Sequence, residues 1–475
     1  MDRTSSLARR NHAILACNPE ACADSAKMMR SVAVMATDPH RDSRPDSHDD
    51  LRDNVHRTID AVFRMESAKI IGALTRIVRD VGVAEDLAQD ALVTALEKWP
   101  EVGVPDNPGA WLMAAAKHRA IDYFRRNTLL DRKHEELGRE LGEKEMAVPD
   151  LDSALDDNVG DDLLRLLFIS CHPVLSTEAQ VALTLRLLGG LTTDEIARAY
   201  LVPEPTIAQR VVRAKRTLAE KHVPFETPRG AELVARLSSV LAVIYLIFNE
   251  GYSATAGDDW MRPALCEEAL RLGRILAELA PQEPEVHGLV ALMEIQASRS
   301  RARVGPSGEP ILLFDQNRAH WDQLLIRRGL VALARAEKLG RAWGSYLLQA
   351  EISACHARAR TPEETDWARI VMLYGELARV APSPVVELNR AVAVGMASGP
   401  AAGLSLVDGL AAERSLENYH LLPSVRGDLL KKLSRFEEAR VEFERAAGMT
   451  RNAHERELLL ERARACGAAE QKKPN

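Results

Sequence analysis

The sequence predicts an all-α protein in which two small helical domains are followed by a long helical array. Three observations carry that expectation. Ala, Leu, Arg and Glu are abundant while aromatics are 4% of the 475 residues, and those abundant side chains lose little rotamer freedom on a helix. Apolar residues recur at three- and four-residue steps, and strand-like alternation of Val, Ile and Thr is hard to find. The second half then reads as helix after helix. The length suits roughly two to four domains of about 100–200 residues each.

Residues 1–50 are mixed and polar, and the run Thr37-Asp-Pro-His-Arg-Asp-Ser-Arg-Pro-Asp-Ser predicts a disordered tail. A helical block follows over residues 51–133. Within it Ala84-Glu-Asp-Leu-Ala-Gln-Asp-Ala-Leu-Val-Thr-Ala-Leu-Glu-Lys-Trp99 places Leu87, Ala91, Ala95 and Trp99 on one face. Glu85, Asp86, Gln89 and Asp90 fall on the other. A loop over residues 102–109 leads into a helix expected to start near Trp111. There Leu112, Ala116, Ala120 and Phe124 share one face, and His118, Asp122 and Arg125 another.

Residues 134–162 read as an acidic flexible linker, with few large apolar side chains to bury. Residues 163–222 hold a helix-turn-helix. Thr192 or Thr193 caps the helix Asp194–Tyr200, whose first turn carries Asp194 and Glu195 where they suit the helix dipole. Leu201-Val-Pro-Glu-Pro makes the turn, and Pro205 opens the next helix. That helix buries Ile207, Val211, Ala214 and Leu218, which turns Gln209, Arg213 and Arg216 outward beside Arg210.

In residues 223–475, Gly427, Ala439, Phe443 and Ala446 take the small, small, aromatic, small positions of a tetratricopeptide-like hairpin. A second candidate, Pro384 to Leu410, sits about one ~34-residue repeat upstream, and a third ends at Pro382 with Tyr374 as its aromatic. The spacings are degenerate, so the expectation is an irregular helical array rather than a fixed repeat count.

The net charge of -7 hides an uneven distribution. Glu135 to Asp162 carries eleven acidic residues against Arg139 and Lys144, whereas Arg210, Arg213, Lys215, Arg216 and Lys221 face only Glu220. Six sparse cysteines, with no CxxC and no Cys/His cluster at zinc spacing, exclude a disulfide scaffold and fit a reducing cytoplasm. No apolar run reaches the ~18 residues of a membrane helix, and the stretch Val240 to Phe248 reads as a buried helix. There is no Gly-rich phosphate loop, nucleophile elbow or zinc pair, so neither an enzyme nor a cofactor is expected.

Three of these motifs, in this order, carry a resemblance. Ala84-Glu-Asp-Leu-Ala-Gln-Asp resembles the helix with which extracytoplasmic-function sigma factors grip the clamp helices of RNA polymerase. Trp111-Leu and Arg119-Ala-Ile-Asp-Tyr-Phe-Arg-Arg126 resemble their promoter-melting helix. Leu191-Thr-Thr-Asp-Glu-Ile-Ala, Thr206-Ile, Arg210 and Arg213-Ala-Lys-Arg resemble their helix-turn-helix. The likeness covers roughly residues 52 to 222, as sigma regions two and four joined by a connector. Ile169-Ser-Cys-His-Pro173, Leu246-Ile-Phe-Asn-Glu-Gly-Tyr252 and the helical tail look like a subgroup with a C-terminal tetratricopeptide-like extension and no dedicated anti-sigma partner. His118 stands where the family often has Asn, the melting helix is Ala-rich at Ala114 to Ala116, and Leu201 replaces the usual turn Gly. These departures bear on promoter sequence rather than on class.

The resemblance implies core RNA polymerase and promoter DNA as partners. Glu85, Asp86, Gln89 and Asp90 would bind polymerase, the alternative being a solvated acidic face. Thr206, Gln209, Arg210 and Arg213 would contact bases or backbone upstream, with Lys215 and Arg216 nearer phosphate. Asp106 and Asn107 would hold a flipped base, and Lys117, Arg119, Arg125 and Arg126 would steer the separated strand. Trp111 and Phe124 are expected in the core. The connector either threads polymerase or merely spaces the domains. The extension is expected to regulate, through a protein or peptide on its concave surface. His172 reads as a helix-end residue, and Gly251 as a sharp turn after a buried helix. The rival reading is a free-standing helix-turn-helix regulator with a ligand- or partner-sensing repeat domain, which leaves the clamp-like and melting-like helices unexplained.

Overall fold

The amphipathic runs fold as helices. The computed structural model describes residues 48–137, 159–200, 202–253, 261–306, 309–340 and 342–471. Among these there is no strand, only an isolated bridge between Val304 and Pro310. Most of the expected disordered tail, most of the acidic linker and the turn residue Leu201 lie outside the described residues, while His48–Asp50, assigned to the tail, open the first helix.

Helix α1 spans His48–Val78 and α2 spans Val81–Val102. Asp80 caps α2, its Oδ1 accepting from the N–H of Val83 at 2.9 Å. Helix α3, Pro108–Leu137, starts a turn earlier than its apolar stripe suggests. Asn107 accepts from the N–H of Ala110 at 3.1 Å, and Pro108 needs no partner for a missing N–H at the first position. Leu87, Ala91, Ala95 and Trp99 of α2 and Leu112, Ala116 and Ala120 of α3 are all buried, as their spacing requires. Trp111 packs edge-on against Trp99, ring centroids 5.4 Å apart; it and Phe124 are half-buried rather than core.

Helix α4 spans Val159–Ser170, so the last residues assigned to the linker are helical. The reason is Asp162: its side chain is 2% exposed and lies 3.0 Å from Arg76 and 2.7 Å from Arg165. A buried carboxylate needs such partners, and the Arg76 pair binds α4 to α1. Helices α5 (Thr177–Leu187), α6 (Thr193–Tyr200) and α7 (Glu204–Glu220) follow, then α8 (Gly230–Tyr252). His172 lies in the turn after α4, its Nδ1 accepting from the N–H of Val174 at 3.2 Å, a helix-end role.

The packing resolves two compact units. One takes the described residues up to Arg198 together with Val202–Val240; the other takes Ala199 and Tyr200 and the described residues from Leu241 onward. In the first, Arg236 and Ser239 of α8 donate to the carbonyls of Phe168 and Cys171 at 2.7 and 3.0 Å.

The second unit continues with α9 (Pro263–Leu279), α10 (Pro284–Ala297), α11 (Gln323–Lys338), α12 (Ser345–Arg358), α13 (Trp367–Val380), α14 (Pro384–Ser398), α15 (Pro400–Leu410), α16 (Leu421–Lys432), α17 (Phe436–Met449) and α18 (Ala453–Gln471). Each packs on the next, and α10 is buried all round between α11 and α12. Ala439, Phe443 and Ala446 are buried, and a Cβ at Gly427 would meet the Phe443 ring at 2.8 Å. Tyr374 is likewise buried in the core between α12 and α14.

Gly251 corrects an expectation. It lies inside the last turn of α8 rather than at a sharp turn, and it is there for space: a Cβ would meet the Cys266 backbone nitrogen at 2.6 Å and Leu265 Cβ at 2.8 Å. Gly251→Ala is therefore expected to cost about 1–3 kcal/mol by overpacking. A thermal melt unchanged from the parent would count against this account of the glycine.

Candidate functional site

Helix α7 carries its apolar residues at i, i+4, i+7 and i+11, and all four (Ile207, Val211, Ala214, Leu218) are buried. Gln209, Arg213 and Arg216 are exposed, while Thr206 and Arg210 are half-buried. Arg216 pairs along the helix with Glu220 at 2.6 Å. The preceding α6 is closed by a reciprocal cap. Thr192 Oγ1 accepts from the N–H of Glu195 at 3.1 Å, and Glu195 Oε2 accepts from the N–H of Thr192 at 2.8 Å. Partial burial opposes ionisation of Glu195, but the Thr192 N–H and the Arg64 guanidinium outweigh it and hold the carboxyl below its usual range. Thr192→Ala is expected to cost about 1 kcal/mol, read as a lowered urea midpoint; no change would mean the cap adds nothing here.

The acidic face of α2 is split. Asp86 and Asp90 are exposed and Gln89 is half-buried. Glu85 is buried, its side chain 5% exposed, and is held by three donors. Arg186 Nε reaches its Oε1 at 2.7 Å, Lys215 Nζ its Oε2 at 2.9 Å, and Gln89 Nε2 its Oε1 at 2.8 Å. Lys215, expected beside phosphate, thus turns inward to α2 and also lies 3.8 Å from Asp86. Arg64 of α1 pairs with Glu195 at 2.8 Å, and a Cβ at Gly190, which has φ +64°, would meet the Arg64 backbone oxygen at 3.2 Å. The clamp-like helix and the helix-turn-helix therefore lock together within one unit. Arg186 escaped the sequence reading, although a lone cation within the apolar run Val181–Leu188 already asks for a buried partner.

On the third candidate surface, Asp106 and Asn107 are exposed in the loop before α3, with Asn107 engaged as its cap. Arg125 and Arg126 are exposed and Lys117 and Arg119 half-buried. Arg119 donates to Thr94 Oγ1 at 3.1 Å, tying α3 to α2. Among the described residues no cluster of His, Cys, Asp and Glu could hold a metal, and no helix is long and apolar enough to cross a membrane.

Parts of the chain match known families. The sigma-70 region 2 family matches residues 62–129, and the sigma-70 region 4 family matches residues 165–218. A family of unknown function, DUF6596, matches residues 236–337. The probable ECF RNA polymerase sigma factor SigI of Mycobacterium tuberculosis is 25% identical over 168 residues, 35% of this chain and 57% of SigI. The ECF RNA polymerase sigma factor SigK of Mycobacterium sp. (strain KMS) is 26% identical over 168 residues, 34% of this chain and 82% of SigK. No solved structure matches the chain. Regions 2 and 4 in this order, together with these distant relatives, support a sigma factor of the extracytoplasmic-function type, followed here by a helical C-terminal region. Sigma factors as a class are transcription factors rather than enzymes.

The chain belongs to the family of the Rhizobium meliloti (strain 1021) protein named "Uncharacterized protein R00370". The two are 44% identical over 401 residues, which is 84% of this chain and 93% of the relative. The shared length includes most of the helical C-terminal region.

Proposed function

We propose that this chain is a promoter-specific initiation factor that binds core RNA polymerase and promoter DNA, regulated through its C-terminal helical extension. Helix α7 carries the reading. Its four-residue apolar stripe is buried while Gln209, Arg213 and Arg216 stand exposed, behind a capped α6. That is the arrangement a major-groove reader needs. Arg213 and Arg210 suit guanine, Gln209 suits adenine, and Thr206 and Arg216 suit the backbone.

On α2, the exposed Asp86 and Asp90 with Gln89 meet a basic coiled coil of polymerase. Glu85 joins them, and Lys215 joins the DNA contacts, only when the bond between the two is exchanged. The reading therefore places polymerase binding on an opened form of the first unit. Downstream, Asp106 and Asn107 hold a flipped base, and Lys117, Arg119, Arg125 and Arg126 carry the phosphates of the opened strand. The extension belongs to the subgroup with a tetratricopeptide-like array, its partner a protein or peptide on a concave surface. The protein works in the cytoplasm, without a membrane partner or cofactor.

The test is run-off transcription with core polymerase on promoters selected by the full chain. It compares the parent, Asp86→Ala, Arg213→Ala and a chain ended after Val240, which keeps Arg236 and Ser239 on their carbonyls. Initiation by the parent, lost in both point variants, is the expected result, and the shortened chain reports the sign of regulation. DNA binding without any binding of core polymerase overturns the reading in favour of a free-standing regulator.

A further inference from the structure

Helix α11 turns a mixed basic and apolar face to water, in a part of the chain that neither sigma-70 family covers. Its buried residues are Ile326, Gly329, Leu333 and Ala336. On the opposite side Leu324, Arg328, Val331, Arg335 and Lys338 recur at steps of four and three. These five fall within about 40° of one line along the helix, a stripe roughly 20 Å long. All are exposed, Val331 at 70% and Leu324 at 50%, and the exposed Arg327 flanks them. We propose that this stripe is a docking surface for an acidic amphipathic helix of a partner protein. The proposal rests on the reading that the extension takes a protein or peptide partner, and it gives that partner a face and a chemistry.

Charge is the first reason. Among the described residues no carboxylate pairs with Arg327, Arg328, Arg335 or Lys338, and Arg327 donates to the carbonyl of Gln323 on its own helix at 3.3 Å. Glu337 points roughly 140° away from the stripe. Asp322 is engaged as the helix cap, accepting from the N–H groups of Leu324 and Leu325 at 2.8 and 3.1 Å. Exposed arginines elsewhere in the unit find a glutamate three residues away: Arg379 takes Glu376 at 3.3 Å and Arg435 takes Glu438 at 2.5 Å. Arg335 and Lys338 suit the C-terminal end of the helix dipole. That accounts for neither Arg327 and Arg328 near the other end nor the apolar residues between them.

The apolar residues decide the class of partner. A nucleic-acid backbone is met by cations alone, whereas here Leu324 and Val331 alternate with the cations. A single exposed apolar side chain carries no meaning. Two in register on a basic stripe match a helix that sets apolar groups on them and carboxylates on Arg328, Arg335 and Lys338. A second copy of this chain does not fit, because a symmetric contact between two such stripes sets cation against cation.

The stripe is also held in place. A Cβ at Gly329 would meet Ile295 Cγ1 at 2.6 Å and the Ala291 carbonyl oxygen at 3.1 Å, so α11 lies too close to α10 to roll about its axis. A surface fixed before binding loses less conformational freedom when a partner docks.

The test is fluorescence anisotropy of the full chain with a labelled helical peptide of about four turns. The peptide carries Leu and Glu on one stripe at the same steps of four and three, with Ala and Gln elsewhere. A peptide of the same composition in shuffled order and a labelled random-sequence DNA duplex are the comparisons. Saturable binding of the striped peptide is expected, about tenfold or more tighter than that of the shuffled one. Arg328→Glu combined with Arg335→Glu is expected to abolish it and to accept instead a peptide with Lys in place of Glu. Val331→Ser is expected to weaken it about fivefold. Hydrogen exchange of the parent chain with the striped peptide is expected to gain protection over residues 323–338, a readout that needs no variant. No saturable binding, equal binding of the shuffled peptide, an unaffected Val331→Ser, or protection confined to other segments overturns the proposal. Charge reversal that weakens duplex binding as strongly as peptide binding also overturns it, in favour of a nucleic-acid backbone. The peptide measurement uses no polymerase, so its failure leaves the initiation reading intact, and the chain ended after Val240 tests regulation by the extension without it.

Discussion

Glu85→Ala is expected to destabilise the first unit by about 2–3 kcal/mol, somewhat below the roughly 3–5 kcal/mol of breaking a fully buried ion pair. The carboxylate is 5% exposed, while Arg186 and Lys215, its two cationic partners, are 23% and 18% exposed. Removing it leaves two positive groups facing one small cavity, short of water but not sealed from it. Partial re-solvation of both cations sets the reduction from the buried limit. A urea midpoint that falls while the m-value stays constant is the expected signature, because the surface exposed on unfolding does not change. An unchanged midpoint would mean that Arg186 and Lys215 return to water without cost and that the lock contributes nothing. Pairing the substitution with Lys215→Met isolates the coupling between the two helices, since contacting residues are not additive. A coupling near zero would assign the loss to Arg186 alone.

Phe443→Ala is expected to cost about 3–5 kcal/mol, the range for truncating a buried aromatic, and to fall at its upper end. The ring is fully buried, as are Ala439 and Ala446 on the same helix. Gly427 faces it across the hairpin, and a Cβ there would come within 2.8 Å of the ring. Glycine and alanine have no side-chain reach with which to refill the space, so the cavity persists. Arg462, half-buried 4.3 Å from the ring centre, also loses its aromatic face. For a unit of this size about 2–4 °C is lost per kcal/mol, so calorimetry should find the second unit melting on the order of 10 °C lower. A shift of only a degree or two would mean that the hairpin collapses onto the gap and that the ring is not its keystone.

Helix type and burial were legible because they are periodic. The stripes Leu87, Ala91, Ala95, Trp99 and Ile207, Val211, Ala214, Leu218 are buried as their spacing demands, since a helix must turn one face inward whatever it packs against. Capping was legible as well: Thr192 with Glu195 three residues on is a pattern within one turn. The small and aromatic positions around Phe443 could be read for the same reason, being set by the close approach of successive helices.

Contacts distant in sequence were not legible. Glu85 stands among acidic neighbours on a polar face, and nothing local separates it from Asp86. Only the approach of α5 and α7, more than a hundred residues along, buries one carboxylate and leaves the next in water. Asp162 repeats the case: composition assigns it to an acidic strap, and Arg76 across the packing makes it part of a core. Gly251 was read through backbone freedom, whereas its reason is the steric presence of Cys266 on another helix. The sequence by itself determined the helices and their buried faces, because those follow from short-range periodicity and local hydrogen bonding, and the resemblance of its motifs supplied the order of the sigma regions. Tertiary structure alone decided which charges are solvated and which are locked, because desolvation and Coulomb energies depend on neighbours that only folding brings within a few ångströms.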